Sequence, residues 1–430
     1  MKTLTLEKMS PKKIIALCRR PSTVTVKDME RTSKIISSVK KEGDRAVSRY
    51  TAMFDGANIN NIKVSANKIT RAWKTLNNQT RQALILAQKS IFDFHCLENP
   101  KDIHLAKNGA KLSRKSIAIE KVGLYIPSGQ APLVSTVLML GVPAKIAGCK
   151  RVVICTPPSK SGEINSNILA TAKIVGIQEI YRVGGVQAIA ALAYGTESIP
   201  KVDKIFGPGN RFVTTAKMIV SADQDGAAID MPAGPSELLV IADRFARADF
   251  IAADLLSQAE HSSDSQVILV CTDEIKIREI ELEIRKQILG LPRKKIIEQV
   301  LEKSYSIIAK DVNSAIKFAN TYAPEHLILN VKNFRSFEKK IQNAGSVFLG
   351  QLSPESAGDY ASGPNHTLPT SGYARTWSGL SVESFTKNIT FQELDQDAIK
   401  YLSSPVKTLA KIEGLEAHSK AMEIREKFNN

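Results

Sequence analysis

Val122-Gly-Leu-Tyr-Ile126 is the first of a series of short apolar runs that alternate with segments of helical length. The other runs fall in two blocks, at 152–155, 179–182 and 204–206, and at 238–241, 267–271, 307–309 and 327–329. This alternation predicts βαβ units and a largely parallel sheet in each block. In both blocks the second run ends in Cys-Thr, at Cys155 and Cys271, which suggests duplicated halves. We therefore expect an α/β protein with two Rossmann-like parallel-sheet domains.

The two blocks are flanked by segments of a different pattern. Residues 26–98 mix charged and apolar positions at helical spacing, which predicts helices without evident chemistry. Beyond about residue 380 the strand pattern stops, and a helical tail is expected to run to Asn430. A tail of this size must dock on a surface or fray.

Composition limits the protein class. The chain has 430 residues, of which 43% are hydrophobic and 24% charged, as in a soluble globular protein of two or three domains. No run approaches the eighteen or so apolar residues that a membrane span needs, and the N-terminus lacks the apolar core of a signal peptide. A cytoplasmic location without membrane attachment is the expectation.

The charge balance and the cysteines argue against other classes. Lys and Arg total 59 against 43 Asp and Glu, a net charge of +16, but the basic residues are scattered among acids without a basic block. Nucleic-acid binding is therefore not expected, although an anionic ligand would benefit. The five cysteines are widely spread without a C-x-x-C pair, which predicts neither a disulfide framework nor a thiolate zinc site.

Four of the six histidines lie after residue 257, each in a polar motif. The motifs are Gln258-Ala-Glu-His261, Pro324-Glu-His326, Asp359-Tyr-Ala-Ser-Gly-Pro-Asn-His366 and Glu413-Gly-Leu-Glu-Ala-His418. Imidazole and carboxylate groups suit both divalent metal binding and proton transfer. The distribution therefore predicts one active site assembled from dispersed segments.

Each motif alone also has a simpler interpretation. A helix over roughly 249–260 would place Gln258 and His261 at its C-terminal end, where a capping histidine is the favoured explanation. Pro324 breaks a helix, so a turn could aim Glu325 and His326 at one cavity, but a surface pair explains them equally well. The Gly- and Pro-rich stretch 353–370 reads as a loop, neither strand nor helix, ordered around a ligand rather than disordered.

Two glycine turns precede predicted helices and could present backbone N–H groups to phosphate. They are Gly184-Gly185 and Gly207-Pro-Gly-Asn210. Neither completes the G-x-G-x-x-G motif, because Phe212 stands where the third glycine of the second turn would be.

Longer motifs, taken together, resemble the histidinol dehydrogenase family across essentially the whole chain. They are Val122-Gly-Leu-Tyr-Ile-Pro127, Val183-Gly-Gly-Val-Gln-Ala-Ile-Ala190, Lys204-Ile-Phe-Gly-Pro-Gly-Asn210, Asp230-Met-Pro-Ala-Gly-Pro-Ser-Glu237, Leu255-Leu-Ser-Gln-Ala-Glu-His261 and Glu355-Ser-Ala-Gly-Asp-Tyr-Ala-Ser-Gly363. The resemblance implies oxidation of L-histidinol to L-histidine through the aldehyde, with two NAD molecules. It further implies one zinc ion per subunit and an intertwined homodimer with shared active sites.

The resemblance also implies roles for individual residues. Zinc would be held by Gln258, His261, Asp359 and His418, the last completing the partner's site. These four would also adjoin the substrate, together with Ser236, His326, His366 and Glu413. NAD would contact Tyr125, Gln187 and Asn210. We assign His326 as the base that removes the hydroxyl proton and Glu325 as the group that activates water.

With these roles, the expected organisation has four parts. They are an N-terminal segment, 1–24; a zinc- and substrate-binding α/β domain, 25–124 and 236–380; an NAD-associated α/β domain, 125–235; and a helical dimerisation tail, 381–430. One departure from the family is Ser128 before Gly129, where two glycines are usual, which affects the local cofactor contact.

The competing hypotheses are a zinc hydrolase with Glu325 as general base, and a non-catalytic metal- or nucleic-acid-binding protein.

Overall fold

The computed structural model describes residues 1–20, 25–128, 132–231 and 234–428. Its strands are β1 Lys2–Thr5, β2 Ile103–Lys107, β3 Ala110–Ala118, β4 Lys121–Tyr125, β5 Arg151–Thr156, β6 Glu179–Arg182, β7 Lys204–Phe206, β8 Ala228–Ile229, β9 Glu237–Ala242, β10 Gln266–Cys271, β11 Tyr305–Ile308, β12 His326–Asn330, β13 Ser346–Leu349 and β14 Thr386–Leu394.

The described residues form sixteen α-helices, most of which pack against the parallel sheets. They are α1 Pro11–Cys18, α2 Val26–Glu42, α3 Asp44–Asp55, α4 Ala66–Lys74, α5 Asn78–His95, α6 Val134–Ala147, α7 Ser166–Ile174, α8 Gly185–Tyr194, α9 Arg211–Ala222, α10 Ala248–Ala259, α11 Glu274–Gln287, α12 Lys294–Glu302, α13 Val312–Tyr322, α14 Glu355–Tyr360, α15 Gln396–Ile412 and α16 Glu416–Glu426. Among the described residues, no helix has the length and apolar character needed to cross a membrane.

Two parallel sheets with the same connectivity form the protein. One has the order β6-β5-β4-β7-β8, and the other has β11-β10-β9-β12-β13, extended beyond β11 by β1. In each sheet the first strand of its block lies centrally between the second and the fourth, as in doubly wound folds. The predicted fold class is confirmed, and the two blocks share one topology.

Burial on both faces explains why these strands read as continuous apolar runs. All six residues of β9 are buried. Leu238 and Val240 join one hydrophobic core, whereas Leu239 and Ile241 join the core on the opposite face. Because side chains alternate between faces along a strand, a sheet covered on both sides needs apolar residues at successive positions.

A third, antiparallel sheet corrects the expectation of an entirely helical tail. Strand β14 pairs along its whole length with β3, which forms a hairpin with β2. The hairpin turn is Asn108-Gly109, with φ of 49° and 74°, the left-handed backbone that two-residue hairpin turns require. The strand was missed because its residues lie largely at the surface, where no continuous apolar run marks it.

The helices before residue 98 were predicted to belong to the same domain as residues 236–380, but they pack elsewhere. Val39 and Val47 join the core that includes Val183, and Ile69 and Ile91 join another core of the five-stranded sheet. These helices therefore cover the sheet of the 125–235 block rather than the 236–380 sheet, and β4 itself belongs to that block. An amphipathic helix pattern does not state which sheet its apolar face covers. The segment 1–24, described to residue 20, supplies strand β1 as well as a helix.

Candidate functional site

The candidate site lies at the amino-terminal edge of the six-stranded sheet. Glu237 and His326 are the first residues of the adjacent parallel strands β9 and β12, and His326 is paired in register with Leu238. Neighbouring parallel strands begin at the same edge, so these two residues lie side by side. Both are buried.

The turn before β12 brings Glu325 to the same place. Helix α13 ends at Tyr322; it is followed by Ala323, a left-handed residue with φ of 52°, and Pro324 prevents the helix from continuing. The Glu325 Oε2 atom accepts a hydrogen bond of 2.7 Å from the Glu237 N–H, and it lies 3.5 Å from His326 Nδ1. Both side chains of the Glu325–His326 pair are therefore buried together rather than exposed on opposite faces.

The Glu237 backbone also holds the imidazole. His326 Nδ1 lies 3.2 Å from the Glu237 carbonyl oxygen, which can only accept a hydrogen bond. A proton on Nδ1 is therefore favoured in the neutral ring, which leaves Nε2 as the acceptor. No hydrogen-bond partner of Nε2 is found in the described part of the chain.

Helix α10 supplies Gln258 and His261. It covers 248–259, close to the predicted 249–260, and it buries Gln258 completely. Gln258 Nε2 lies 3.4 Å from His326 Nδ1, while its Oε1 atom is buried without a partner among the described residues. His261 follows the helix and is half exposed. The end of α10 therefore places the Gln258 amide inside the site and the His261 imidazole at the edge of the site.

The segment 353–370 contains a short helix, which corrects the prediction that it is entirely a loop. Helix α14 runs from Glu355 to Tyr360 and carries Asp359. This helix of six residues was not predicted because Pro354 and Gly358 have a low helix propensity. The glycine is needed because a Cβ there would lie 2.6 Å from the Phe348 ring.

Asp359 connects the histidines of the site. Its Oδ1 atom lies 3.6 Å from His326 Nε2, and its Oδ2 atom lies 3.9 Å from His261 Nε2. The Asp359 carbonyl oxygen lies 2.8 Å from His366 Nδ1, whose other ring nitrogen is 3.4 Å from Thr136 Oγ1. Three of the four histidine motifs therefore meet at one carboxylate residue.

Glu355 is a site residue that the sequence reasoning missed. Its side chain is buried, and Oε1 lies 3.5 Å from His326 Nδ1. With His326 and Asp359 it forms a group whose potential ligand atoms lie within 4.8 Å of one another. Glu355 precedes Asp359 by four residues, a spacing that places both on one helix face. That signal was lost because the segment was predicted as a loop.

The acidic surroundings determine the protonation of the site. Burial disfavours the charged imidazole, but Glu355, Glu325 and Asp359 together raise the pKa of His326 well above its usual value. Burial likewise raises the pKa of Glu355 far above its usual value. Burial opposes ionisation of Asp359 too, yet its interaction with the nearby His326 lowers its pKa. These groups thus favour an ion pair between His326 and Asp359.

The other predicted residues border two cavities. Ser236, His261 and Asn210 line a cavity of about 1930 Å³, whose lining comes from loops and helices next to both parallel sheets. His326, Asp359 and His366 line a second cavity of about 410 Å³. The contact between Asp359 and His261 joins the linings of the two cavities.

The residues expected to contact NAD lie at the five-stranded sheet. Tyr125 ends β4 and its hydroxyl accepts a 3.1 Å hydrogen bond from the Gly185 N–H; burial raises the pKa of this tyrosine to about 12. Gln187 is fully buried, and both of its amide atoms lack partners within the described ranges. Asn210 is exposed and caps α9. Ser128 is described, but Gly129 lies outside the described residues.

Glu413 and His418 are not brought to this cluster within one chain. Glu413 directly follows α15, and His418 lies in α16; both are exposed. Across the described residues, no side-chain hydrogen bond or ion pair joins either of them to the other predicted site residues. Both belong to the tail that follows β14.

Comparisons with known proteins agree over nearly the whole chain. The sequence model of the histidinol dehydrogenase family matches residues 18–426. The histidinol dehydrogenase of Bacteroides thetaiotaomicron is 48% identical over 411 residues, covering 95% of each chain. That of Vibrio vulnificus is 49% identical over 432 residues, covering 100% of this chain and 99% of its own. The crystal structure of histidinol dehydrogenase from Elizabethkingia anophelis has a TM-score of 0.95 at 46% identity, covering 99% of this chain and 98% of its own.

Proposed function

Because this chain belongs to the histidinol dehydrogenase family, we propose that it oxidises L-histidinol to L-histidine through L-histidinaldehyde. This is a four-electron oxidation in which two NAD molecules each accept a hydride, and it completes histidine biosynthesis. The observation that carries the proposal is the buried Glu325–His326 pair, held on the Glu237 backbone beside Asp359. A cytoplasmic location stays a prediction.

His326 is the base of the first oxidation. Its Nδ1 atom faces the Glu237 carbonyl oxygen, so Nε2 is available to take the proton of the substrate hydroxyl. Glu325 serves the second oxidation by removing a proton from the water that hydrates the aldehyde. The hydrogen bond from the Glu237 N–H orients its carboxylate for this role. Ser236, His366 and Glu413 are the further residues proposed to contact histidinol.

The donor atoms present fit the zinc ion that the family implies. Gln258 Oε1 is a buried oxygen without a partner in the described chain, and Asp359 and His261 stand within 3.9 Å of each other. Oxygen and imidazole donors of this kind suit zinc. We propose that they hold one zinc ion per subunit, with His418 of the partner subunit as the fourth ligand. Zinc, when bound, acts as a Lewis acid that polarises the reacting oxygen and orients the substrate.

Metal binding would also favour the neutral form of His326, which is the form that can accept a proton. Burial disfavours the protonated imidazole, but Glu355, Glu325 and the Asp359 carboxylate together outweigh burial and raise the pKa of His326. A cation next to this carboxylate opposes a second positive charge, so it lowers the pKa of the imidazole. The neutral ring that proton abstraction needs is therefore favoured in the zinc-loaded enzyme.

The five-stranded sheet offers groups that suit NAD. Gln187 has a buried amide without partners in the part of the chain described, and Asn210 stands at the N-terminus of α9 in the larger cavity. Helix N-termini favour phosphate, and unpaired amide groups favour a polar ligand. Tyr125 is the third proposed contact.

We propose that the chain forms a homodimer through its arm, defined as β2, β3 and the segment 386–428, which contains β14, α15 and α16. The arm exposes large apolar side chains, namely Ile103, Leu105, Ile117, Ile389, Phe391, Leu394, Tyr401, Leu409, Ile412, Leu415, Ile424 and Phe428. Exposed apolar surface on this scale is typical of an interaction site. A second copy of the chain covers it, and the crossing of the tail brings Glu413 and His418 to the partner's cluster.

A hybrid dimer tests whether the active sites are shared. One subunit carries His261→Asn and the other His418→Asn, each with its own affinity tag so that the hybrid can be purified. If His418 serves the partner, one of the two sites contains both native histidines, and about half of the wild-type activity is expected. Each mutant homodimer should be nearly inactive. A hybrid as inactive as the homodimers would show that His418 does not act across the interface.

The activity itself is tested by counting NADH formed per histidinol consumed by the full-length protein. A ratio of about two is expected from two hydride transfers. The zinc-hydrolase alternative predicts product without a change in nicotinamide absorbance. The binding-protein alternative predicts no turnover of histidinol and, for nucleic acid, salt-dependent binding. Either result would refute the proposed function.

A further inference from the structure

Arg20 forms a buried ion pair at the first residue of β9. Its Nε and Nη2 atoms donate to the two carboxylate oxygens of Glu237, each at 2.7 Å. Only 11% of the Arg20 side chain and 3% of the Glu237 side chain are exposed. Paired, parallel hydrogen bonds of this kind fix direction as well as distance. The N-terminal segment is therefore anchored to the amino-terminal edge of the six-stranded sheet.

The same guanidinium holds the end of α13. Arg20 Nη1 donates to the Tyr322 carbonyl oxygen at 2.7 Å, and Nη2 lies 3.5 Å from the Ala323 carbonyl oxygen. The guanidinium carbon also lies 3.5 Å from the centroid of the Tyr322 ring. Ala323 is the left-handed residue that directs the chain into Pro324, Glu325 and His326. Arg20 thus fixes the turn from which the Glu325–His326 pair emerges.

The contacts of Arg20 with Glu237 and with the end of α13 both lead to the reacting groups. On one side Arg20 fixes Glu237, whose N–H bonds to Glu325 and whose carbonyl oxygen lies 3.2 Å from His326 Nδ1. On the other side it fixes the carbonyl groups just before Glu325. We infer that Arg20 is a positioning residue for the Glu325–His326 pair, setting the distance and orientation of both groups through Glu237 and the α13 terminus. This inference rests on the proposed function.

Lysine cannot replace the arginine here. Arg20 uses three nitrogen atoms in one plane, which an ammonium group cannot reproduce. Burial raises the pKa of the Glu237 carboxyl, and the hydrogen bonds from Arg20 oppose this rise. Ser371 N–H also donates to Glu237 Oε1, so the carboxylate keeps one further contact when Arg20 is replaced.

The test compares Arg20→Gln and Arg20→Lys with wild-type full-length enzyme loaded with zinc. Because misplacement of reacting groups by about 1 Å costs about 10²-fold, we expect kcat for both oxidation steps to fall about 10²-fold in Arg20→Gln. KM for histidinol and NAD and the zinc content should stay close to wild type. The kcat of Arg20→Lys should lie between that of wild type and that of Arg20→Gln. Lys12→Gln, an exposed charge loss in the same segment, should match wild type.

Other outcomes overturn the inference. A lower melting temperature with unchanged kcat below that temperature would show a purely structural role. A wild-type kcat in Arg20→Lys would also show a purely structural role. This variant is the deciding one if Arg20→Gln does not fold. Loss of zinc, or a rise in KM with unchanged kcat, would show that Arg20 acts on metal or substrate binding rather than on the Glu325–His326 pair. If wild-type enzyme oxidises histidinol, such results refute only this inference; if it does not, the proposed function fails first.

Discussion

Glu325→Gln is expected to slow the oxidation of histidinaldehyde by about 10²–10⁴-fold, the usual contribution of a general base, while histidinol oxidation is much less affected. Glutamine keeps an oxygen that can accept the hydrogen bond from the Glu237 N–H, so the geometry around His326 is preserved. It cannot remove a proton from water. The aldehyde should therefore be formed at a rate closer to that of wild type and then accumulate or escape.

The measurement supplies each substrate separately. NADH formation is followed with histidinol and with histidinaldehyde, and the ratio of NADH formed to histidinol consumed should fall from about two toward one in the variant. Glu302→Gln provides the matched control, because Glu302 is exposed on α12. Equal loss of both steps in Glu325→Gln would contradict the role in water activation.

His261→Asn is expected to abolish stable zinc retention, and with it nearly all turnover. Loss of one ligand from a four-ligand site removes the strong binding that a complete donor set provides. The readout is zinc per subunit after gel filtration, together with activity before and after added zinc. Excess zinc should restore part of the activity if the remaining donors are intact.

Glu355→Gln distinguishes the proposed ligand set from the alternative group of His326, Glu355 and Asp359. The potential ligand atoms of that group lie within 4.8 Å of one another, but the group would use the proposed base as a ligand. With Gln258, His261, Asp359 and His418 as ligands, Glu355→Gln should retain zinc while His261→Asn loses it. The reverse pattern would place the metal on the inner group.

The parallel sheets could be predicted because each strand carries its own signal. A buried strand such as β9 is a continuous apolar run, and the helices between the strands supply the remaining pattern. The surface strands β2, β3 and β14 lack that signal, since their contacts are mainly with each other. Only the Asn108-Gly109 turn marked the hairpin locally.

The site could be predicted only in part, for a geometric reason. Motif composition identified Gln258, His326 and Asp359, which the fold brings together. The participation of the Glu237 backbone depends on β9 and β12 being neighbours in register, which no local pattern reveals. Nor does the sequence show that the cluster lies at the amino-terminal edge, whereas open α/β sheets usually bind ligands at the carboxyl edge.

The most direct test is a zinc anomalous-scattering map of crystals of the full-length protein. We expect one zinc peak per subunit, at about 2.0–2.2 Å from oxygen and nitrogen atoms of Gln258, His261 and Asp359 and from His418 of the partner subunit. A peak held by His326 and Glu355, or a site completed without the partner's His418, would contradict the proposed shared metal site.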